Sequence, residues 1–423
     1  MTLTELRYIV ALFQVMKAPT VLLLVMVSSA AWPSEPAGVS AESSLRDALF
    51  TRTFGDERFG QHELDILYWS STRHLLTEPS HTNAIRALDE FIANHGEQNV
   101  REPLRRALLQ RDLWQLYEWT FETLAAVDND FKRERAELRS RLATAIKRMA
   151  QTPTEIAQLP GNLETISATA GIPDFPRGLP DGTGDWVMVG TLGDEAAAPE
   201  HALSFDGHSL FIVLVRLPGG RTETLAYLKK MREIAPRGDA STLQNLPAAQ
   251  FPAGTLWSLM RIMMVIDADG IIVPTHLVET IQIRRYLKVP APDAPPLTLA
   301  GTQQFFEINL DREQPPTLRV IDADERRFLS PQFRSMGIDD FEFTPNPPQP
   351  YHPSDSQPAT LKTCGQCHGP AGIMSVRSYL GFMGRKTPAN VPTTLAQEAE
   401  KTIGWAQGRP EWQELSRLWA EAR

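Results

Sequence analysis

Cys364-Gly365-Gln366-Cys367-His368 holds both cysteines of a 423-residue chain. With no other thiol there is no disulfide framework, so the fold must rest on a conventional hydrophobic core. The spacing of the pair narrows its chemistry. Two intervening residues keep both thiols within reach of one face, and the next residue delivers an imidazole. A zinc site needs four ligands, usually from a second close pair of Cys or His, and no such pair stands nearby. A thioredoxin-like dithiol opens a helix after a strand. Here the approach is Pro-rich (Pro345, Pro347, Pro348, Pro350, Pro353, Pro358) and the exit is Gly369-Pro370-Ala371-Gly372. A disulfide across two residues is strained and staples almost nothing. The pattern favours, over these three, the attachment signature of c-type haem. In that reading both thiols add across the vinyl groups and His368 is the proximal iron ligand.

The N-terminus reads as an export signal, residues 1–31. Lys17 precedes the apolar run Val21-Leu22-Leu23-Leu24-Val25-Met26-Val27, and the small residues Ser28 to Ala31 follow. Cleavage is expected after Ala30 or Ala31, the alternative being an uncleaved anchor. Met16 heads a compact signal of its own and is an alternative start to Met1. The run is shorter than the ~20 apolar residues of a membrane-spanning helix, so no stable transmembrane span is expected after cleavage. Export and haem attachment support each other, because attachment needs reduced thiols outside the inner membrane. The expected location is periplasmic or secreted.

At roughly 100–200 residues per domain, two or three domains are expected. The fold class read from the pattern is α+β and multidomain. Residues 32–44, rich in Pro, Ser, Glu and Ala, read as disordered. Residues 45–150 read as an α-helical domain. Ser80 is an expected cap, Pro103 an expected first helical residue, and Phe131, Leu138, Leu142, Ile146 and Met149 form one stripe. Residues 151–184 combine five Pro with five Gly (Pro153, Pro160, Pro173, Pro176, Pro180; Gly161, Gly171, Gly178, Gly182, Gly184) and read as a linker or an extended wrap. Residues 185–345 read as mainly antiparallel β, with a helix over Thr222–Ile234. Asp267-Ala268-Asp269-Gly270 between two apolar runs signals a hairpin. Pro274 demotes the start of its second strand, and the alternation over Thr280–Arg284 leaves one face wet. Asp267 and Asp269 only loosely match a calcium loop, which lacks its closing Glu. His276 is more readily a structural residue than a site. Residues 346–360 are a Pro-rich linker. Residues 361–423 read as a small α-helical haem segment, with helices over Thr394–Gln407 and from Pro410. The stripe Trp412, Leu415, Leu418, Trp419 serves either to cover a haem face or to dock this unit onto the larger domains.

The formal net charge of −9 and the lack of a long basic run disfavour a nucleic-acid role. They fit an acidic protein that meets a basic redox partner.

The segment around the motif resembles the c-type cytochrome class. The resemblance covers the five-residue motif and, more loosely, a helix-rich stretch of about 60 residues. It implies one covalent haem c on Cys364 and Cys367, with His368 axial. Small one-haem cytochromes place a distal Met well downstream, and Met/His ligation raises the potential. Met383 is the expected distal ligand, with His352 and Met374 as alternatives; the short tail departs from the usual pattern. Arg377, Tyr379 and Arg385 are expected propionate contacts by charge and donor type. Three functions fit: electron transfer with the α and β domains docking a partner, a haem-tethered periplasmic oxidoreductase, or a redox-dependent binding or sensing protein. No catalytic motif in residues 45–345 supports the second.

Overall fold

The computed structural model describes residues 41–54, 57–59, 74–121, 131–163, 175–176, 183–191, 193–194, 196–198, 201, 208–234, 250–289, 302–312, 314–320, 372–376 and 391–422. Helices and one large antiparallel sheet make an α+β fold.

The first described elements are α1 (Ala41–Phe50) and a short hairpin, β1 (Arg52–Phe54) with β2 (Glu57–Phe59). α1 begins inside the stretch expected to be disordered. Leu45, Leu49 and Phe50 are buried, and that apolar face draws the preceding turn into the helix. α2 (Ser80–Ala93) follows. Ser80 is its first residue rather than its cap, which is Pro79; the Ser80 hydroxyl pairs with His74 Nδ1 at 3.2 Å instead. α3 (Pro103–Trp119) starts as expected on Pro103, whose missing N–H costs nothing there. The Glu102 carboxylate accepts from the amides of Leu104 and Arg105, at 3.0 and 2.6 Å. α4 (Lys132–Met149) buries the expected Leu138, Leu142, Ile146 and Met149 stripe. The short α5 (Pro153–Ala157) is closed by a Thr152–Glu155 capping box. It lies in the stretch read as linker, where Asn162 also exchanges two hydrogen bonds with the backbone of Val278, both 2.8 Å.

The sheet contains β3 (Val187–Gly190), β4 (Ser209–Arg216), β5 (Leu256–Ile266), β6 (Ile272–Tyr286), β7 (Gln303–Leu310), β8 (Leu318–Val320) and β9 (Val391–Pro392). Its order is β8-β7-β6-β5-β4-β3-β9, with every neighbour antiparallel. The β5–β6 hairpin turns where Asp-Gly stands. Asp267 Oδ1 accepts from the amides of Asp269 and Ile271, at 3.0 and 2.8 Å, and Gly270 takes a φ of 78°. That carboxylate therefore builds the turn. Pro274 sits within β6 opposite Met264, where two register shifts accommodate its missing donor. In Thr280–Arg284 the alternation holds, with Ile281 and Ile283 buried and the polar residues partly covered.

Successive strand residues face opposite sides, and both sides are covered. Leu210, Ile212 and Leu214 of β4 join Met260, Ile281 and Ile308 in one core with Leu109, Leu113 and Trp114 of α3 and Leu142 and Ile146 of α4. Val213 and Val215 face the other way, with Val187, Val189 and Trp257, toward Tyr227, Leu228 and Met231 of α6 (Gly220–Ile234). The C-terminal α7 (Leu395–Gln407) and α8 (Pro410–Glu421) add Ala399, Ala406 and Leu415 to the first core. Trp412 of α8 lies 5.9 Å from Trp114 between ring centroids. Lys147 of α4 donates to the carbonyls of Trp419 and Ala422, at 2.8 and 2.6 Å. The α8 stripe thus docks on the body. The buried residues of the stretches read as separate α and β domains form one continuous core. No helix among the described residues is long and apolar enough to cross a membrane.

Candidate functional site

Cys364, Cys367, His368, His352, Arg377, Tyr379, Met383 and Arg385 lie outside the described residues, as do the export signal and the Pro-rich linker. Of Met374 only the backbone is described, in a single helical turn spanning Gly372–Ser375. That turn begins four positions after His368 in the sequence, and it is seated in the sheet.

The seat is built from the ends of two strands and the loop before β5. Ile373 is fully buried and Val376 nearly so, among Phe251, Trp257, Tyr286 and α6. The Ile373 amide donates to Gln250 Oε1 at 3.0 Å. The Ser375 hydroxyl donates to the Gly372 carbonyl at 2.6 Å, so Tyr286 Oη donates to Ser375 Oγ, also at 2.6 Å. Phe251 stands edge-on to Tyr286, with centroids 4.7 Å apart, and Tyr227 and Trp257 flank Phe251 at 6.3 and 6.4 Å. Backbone bonds fix the rim. Gly254 N donates to the Tyr286 carbonyl at 2.7 Å and Tyr286 N to that of Thr255 at 3.0 Å. Gly372 has a φ of 56°, and a Cβ there would run into Gln250 Oε1 and meet Val289 Cγ1 at 2.9 Å. Only glycine fits both the left-handed backbone and the close approach.

The chain rejoins the sheet at β9, which pairs with β3 at its edge. α7 is clamped there. Glu398, fully buried, accepts from Ala197 N at 3.1 Å and from Thr393 Oγ1 at 2.9 Å, and pairs with Lys401 at 3.3 Å. Its carboxylate occupies the space a side chain at Gly190 would need. Arg377, Tyr379, Met383 and Arg385 thus fall in sequence between two fixed points, Val376 and Val391.

A second cluster lies on the opposite side of the sheet, in a region where the sequence offers no motif. α3 is buried on nearly all sides, polar residues included. Fully buried Arg111 directs Nε to Glu279 Oε1 at 2.6 Å and hydrogen-bonds Gln115. Glu279 also meets Arg261 at 3.4 Å and accepts from the Ser209 hydroxyl at 3.0 Å. Asp112 accepts from Arg312 with both oxygens at 2.8 Å and pairs with Arg46 at 3.4 Å. His208 Nδ1 pairs with Glu118 at 2.7 Å. Each carboxylate faces a cation or an imidazole, and burial removes these groups from any dissolved reactant. The arrangement holds α3 to β4, β5 and β6.

His276 is exposed. No group of three or more His, Cys, Asp or Glu suited to a metal ion occurs among the described residues. No protein-family model, curated protein or solved structure matches the chain.

Proposed function

We propose that this chain is an exported one-haem c-type cytochrome that exchanges electrons with a redox protein partner in the periplasm or outside the cell. The observation that carries this reading is Cys364-x-x-Cys367-His368, the chain's sole thiols, behind an export-type N-terminus. The donor set suits the cofactor: two thiols for covalent attachment and one imidazole for iron. Cys364 and Cys367 hold the haem, His368 is the proximal ligand, and Met383 is the distal one, with His352 and Met374 as alternatives. Arg377, Tyr379 and Arg385 meet the propionates. Bound haem supplies a one-electron couple whose potential follows axial ligation, burial and hydrogen bonding. The chain's own contribution is a fixed frame. The turn after the motif is buried in the sheet, and the return strand β9 is locked at the edge. In this reading residues 361–423 are a cytochrome-like segment whose two helices are lent to the common core.

The test is maturation in a host that attaches haem c, followed by denaturation and the reduced pyridine haemochrome spectrum. Haem should stay with the polypeptide, and Cys364→Ser with Cys367→Ser should abolish that. A wild-type chain without covalent haem overturns the reading.

A second reading, redox-dependent binding or sensing, is favoured over a haem-tethered oxidoreductase by the same seat. A haem segment plugged into the sheet has a direct contact through which to bias the body. Partner capture in the oxidised and reduced states separates the two, and identical capture removes the sensing reading.

A further inference from the structure

Three donors gather on the second face of the sheet, and none has an acceptor there. Trp257 of β5 stands opposite Arg284 of β6, and Arg284 stands opposite Phe305 of β7. Tyr286 lies two residues along on the same side and stands opposite Gln303. Paired side chains on one face lie about 5 Å apart at Cβ, and diagonal ones about 7–8 Å. Trp257, Arg284 and Gln303 therefore fall within the span of one small molecule, with the long Arg284 side chain in the middle.

Trp257 is 6% exposed and Gln303 5%. Yet Trp257 Nε1 and Gln303 Nε2 have no hydrogen-bond partner among the described residues. A donor left buried and unpaired costs about 1–3 kcal/mol, so two on one face call for an acceptor. Arg284 is half-buried and makes neither a hydrogen bond nor an ion pair among the described residues. Glu307, the carboxylate diagonal to it on β7, is buried and does not pair with it. The cation is felt at a distance: His201 is held down to about 4 by burial first and then by Arg284. Tyr286 adds no donor, because its hydroxyl is committed to Ser375.

The set fits one kind of ligand. One guanidinium and two neutral N–H donors match a single negative charge spread over two oxygens, and the guanidinium fork suits a planar carboxylate. A phosphate dianion would ask for a second cation, and the set has one. Phe305 and the Trp257 ring offer flat apolar surface beside the donors. The chain's net charge of −9 gives anions no general attraction, so affinity would have to come from this local arrangement.

We propose that Trp257, Arg284 and Gln303 form a binding site for the carboxylate of a small aromatic acid. The site lies wholly on the sheet and stands independently of the haem reading.

Benzoate is the probe, titrated into the full chain while the indole N–H resonances are followed by NMR. One resonance, the one missing from Trp257→Phe, should move downfield and saturate. Benzamide, which keeps the ring and loses the charge, should bind about tenfold more weakly or worse. Arg284→Gln should weaken benzoate about tenfold or more, the scale of a charge-assisted hydrogen bond. Arg284→Lys should recover part of that loss, and Gln303→Leu should cost a few-fold. Arg285→Gln is the control: it removes the same charge one residue along, on the opposite face, and should bind as wild type does. Arg284→Gln loses no contact among the described residues and should fold normally. Calorimetry of benzoate on Arg284→Gln and Arg285→Gln therefore decides the matter even where Trp257→Phe is destabilised. A Trp257 resonance that stays still up to the solubility of benzoate overturns the site. Equal losses in Arg284→Gln and Arg285→Gln overturn it as well, since they would mean general charge attraction.

Discussion

The two faces of the sheet are covered by different means. On the first, a whole layer of helices brings apolar side chains together with a chain of buried ion pairs, Arg111–Glu279–Arg261 and Asp112–Arg312, around α3. On the second, among the described residues, helix α6 shares the cover with a five-residue turn delivered from far along the sequence. The first face spends buried charge on fixing one helix in one register, a role for which buried polar groups serve better than for raw stability. The second uses neutral hydrogen bonds and aromatic packing on a short turn. The first face therefore holds a helix in register through buried charge, and the second holds a turn through neutral contacts alone.

The largest expected effect comes from breaking the first face. Arg111→Ala leaves Glu279 with one partner fewer at full burial, which costs about 3–5 kcal/mol in such pairs. Urea unfolding followed by circular dichroism measures it. Arg417→Ala is the contrast, because its partners Glu414 and Glu421 sit on an open helix surface, and it should leave the midpoint where it is. Equal midpoints for Arg111→Ala and wild type would remove the buried network from the account of the fold.

The second face should be the acid-sensitive one. His201 packs by Phe211, with ring centroids 6.0 Å apart. Loss of hydration, and then the Arg284 cation, pull its imidazole down from 6.5 to about 4. An unfolded chain binds that proton near pH 6.5 and the folded one does not. Stability is thus fully present above about 6.5 and falls as pH drops toward 4. His201→Gln should flatten this part of the stability–pH curve. A variant curve parallel to wild type over that interval would assign the acid loss to other groups.

Next in size is Gly372→Ala, which forces a side chain into the left-handed region and against Gln250. Strain of this kind costs about 1–3 kcal/mol, and local relief is available by releasing the turn. Proteolysis near residues 372–376 should rise steeply while the main unfolding midpoint moves little. A large midpoint shift with no new cleavage would mean that the turn belongs to the central core.

The hairpin at Asp267–Gly270, the start of α3 at Pro103 and the starts of α7 and α8 were legible because each depends on local chemistry: a turn carboxylate, a missing donor, a cap. What stayed hidden depends on distant partners. Gln110, Arg111, Asp112, Gln115 and Glu118 look like a wet helix face until the sheet supplies Glu279, Arg312, His208 and the backbone of Ile266. Ser80 carries a cap's side chain, yet His74 claims its hydroxyl. The seat has no sequence period at all, only Ile373 and Val376 beside a glycine whose backbone angle no composition reveals. Nothing in Cys364-Gly365-Gln366-Cys367-His368 shows that a buried turn follows four residues on.

The smallest effect tests whether the C-terminal helices belong with the first face. Thr394 and Gln397 form a capping box at the start of α7, with each side chain accepting the other's amide, at 3.3 and 3.0 Å. Thr394→Ala should cost about 1 kcal/mol. Its size is ordinary, but where it appears is informative. α7 places Ala399 and Ala406 in the shared core and ties Glu398 to Ala197 and, through Lys401, to the Thr191 carbonyl at 3.0 Å. If that coupling is as tight as the packing indicates, the whole unfolding transition shifts, whether followed by tryptophan fluorescence or by far-ultraviolet dichroism. If instead an early phase moves while the main transition stands still, α7 and α8 unfold as a unit of their own. The C-terminal helices would then be separable from the sheet that seats the Gly372–Val376 turn.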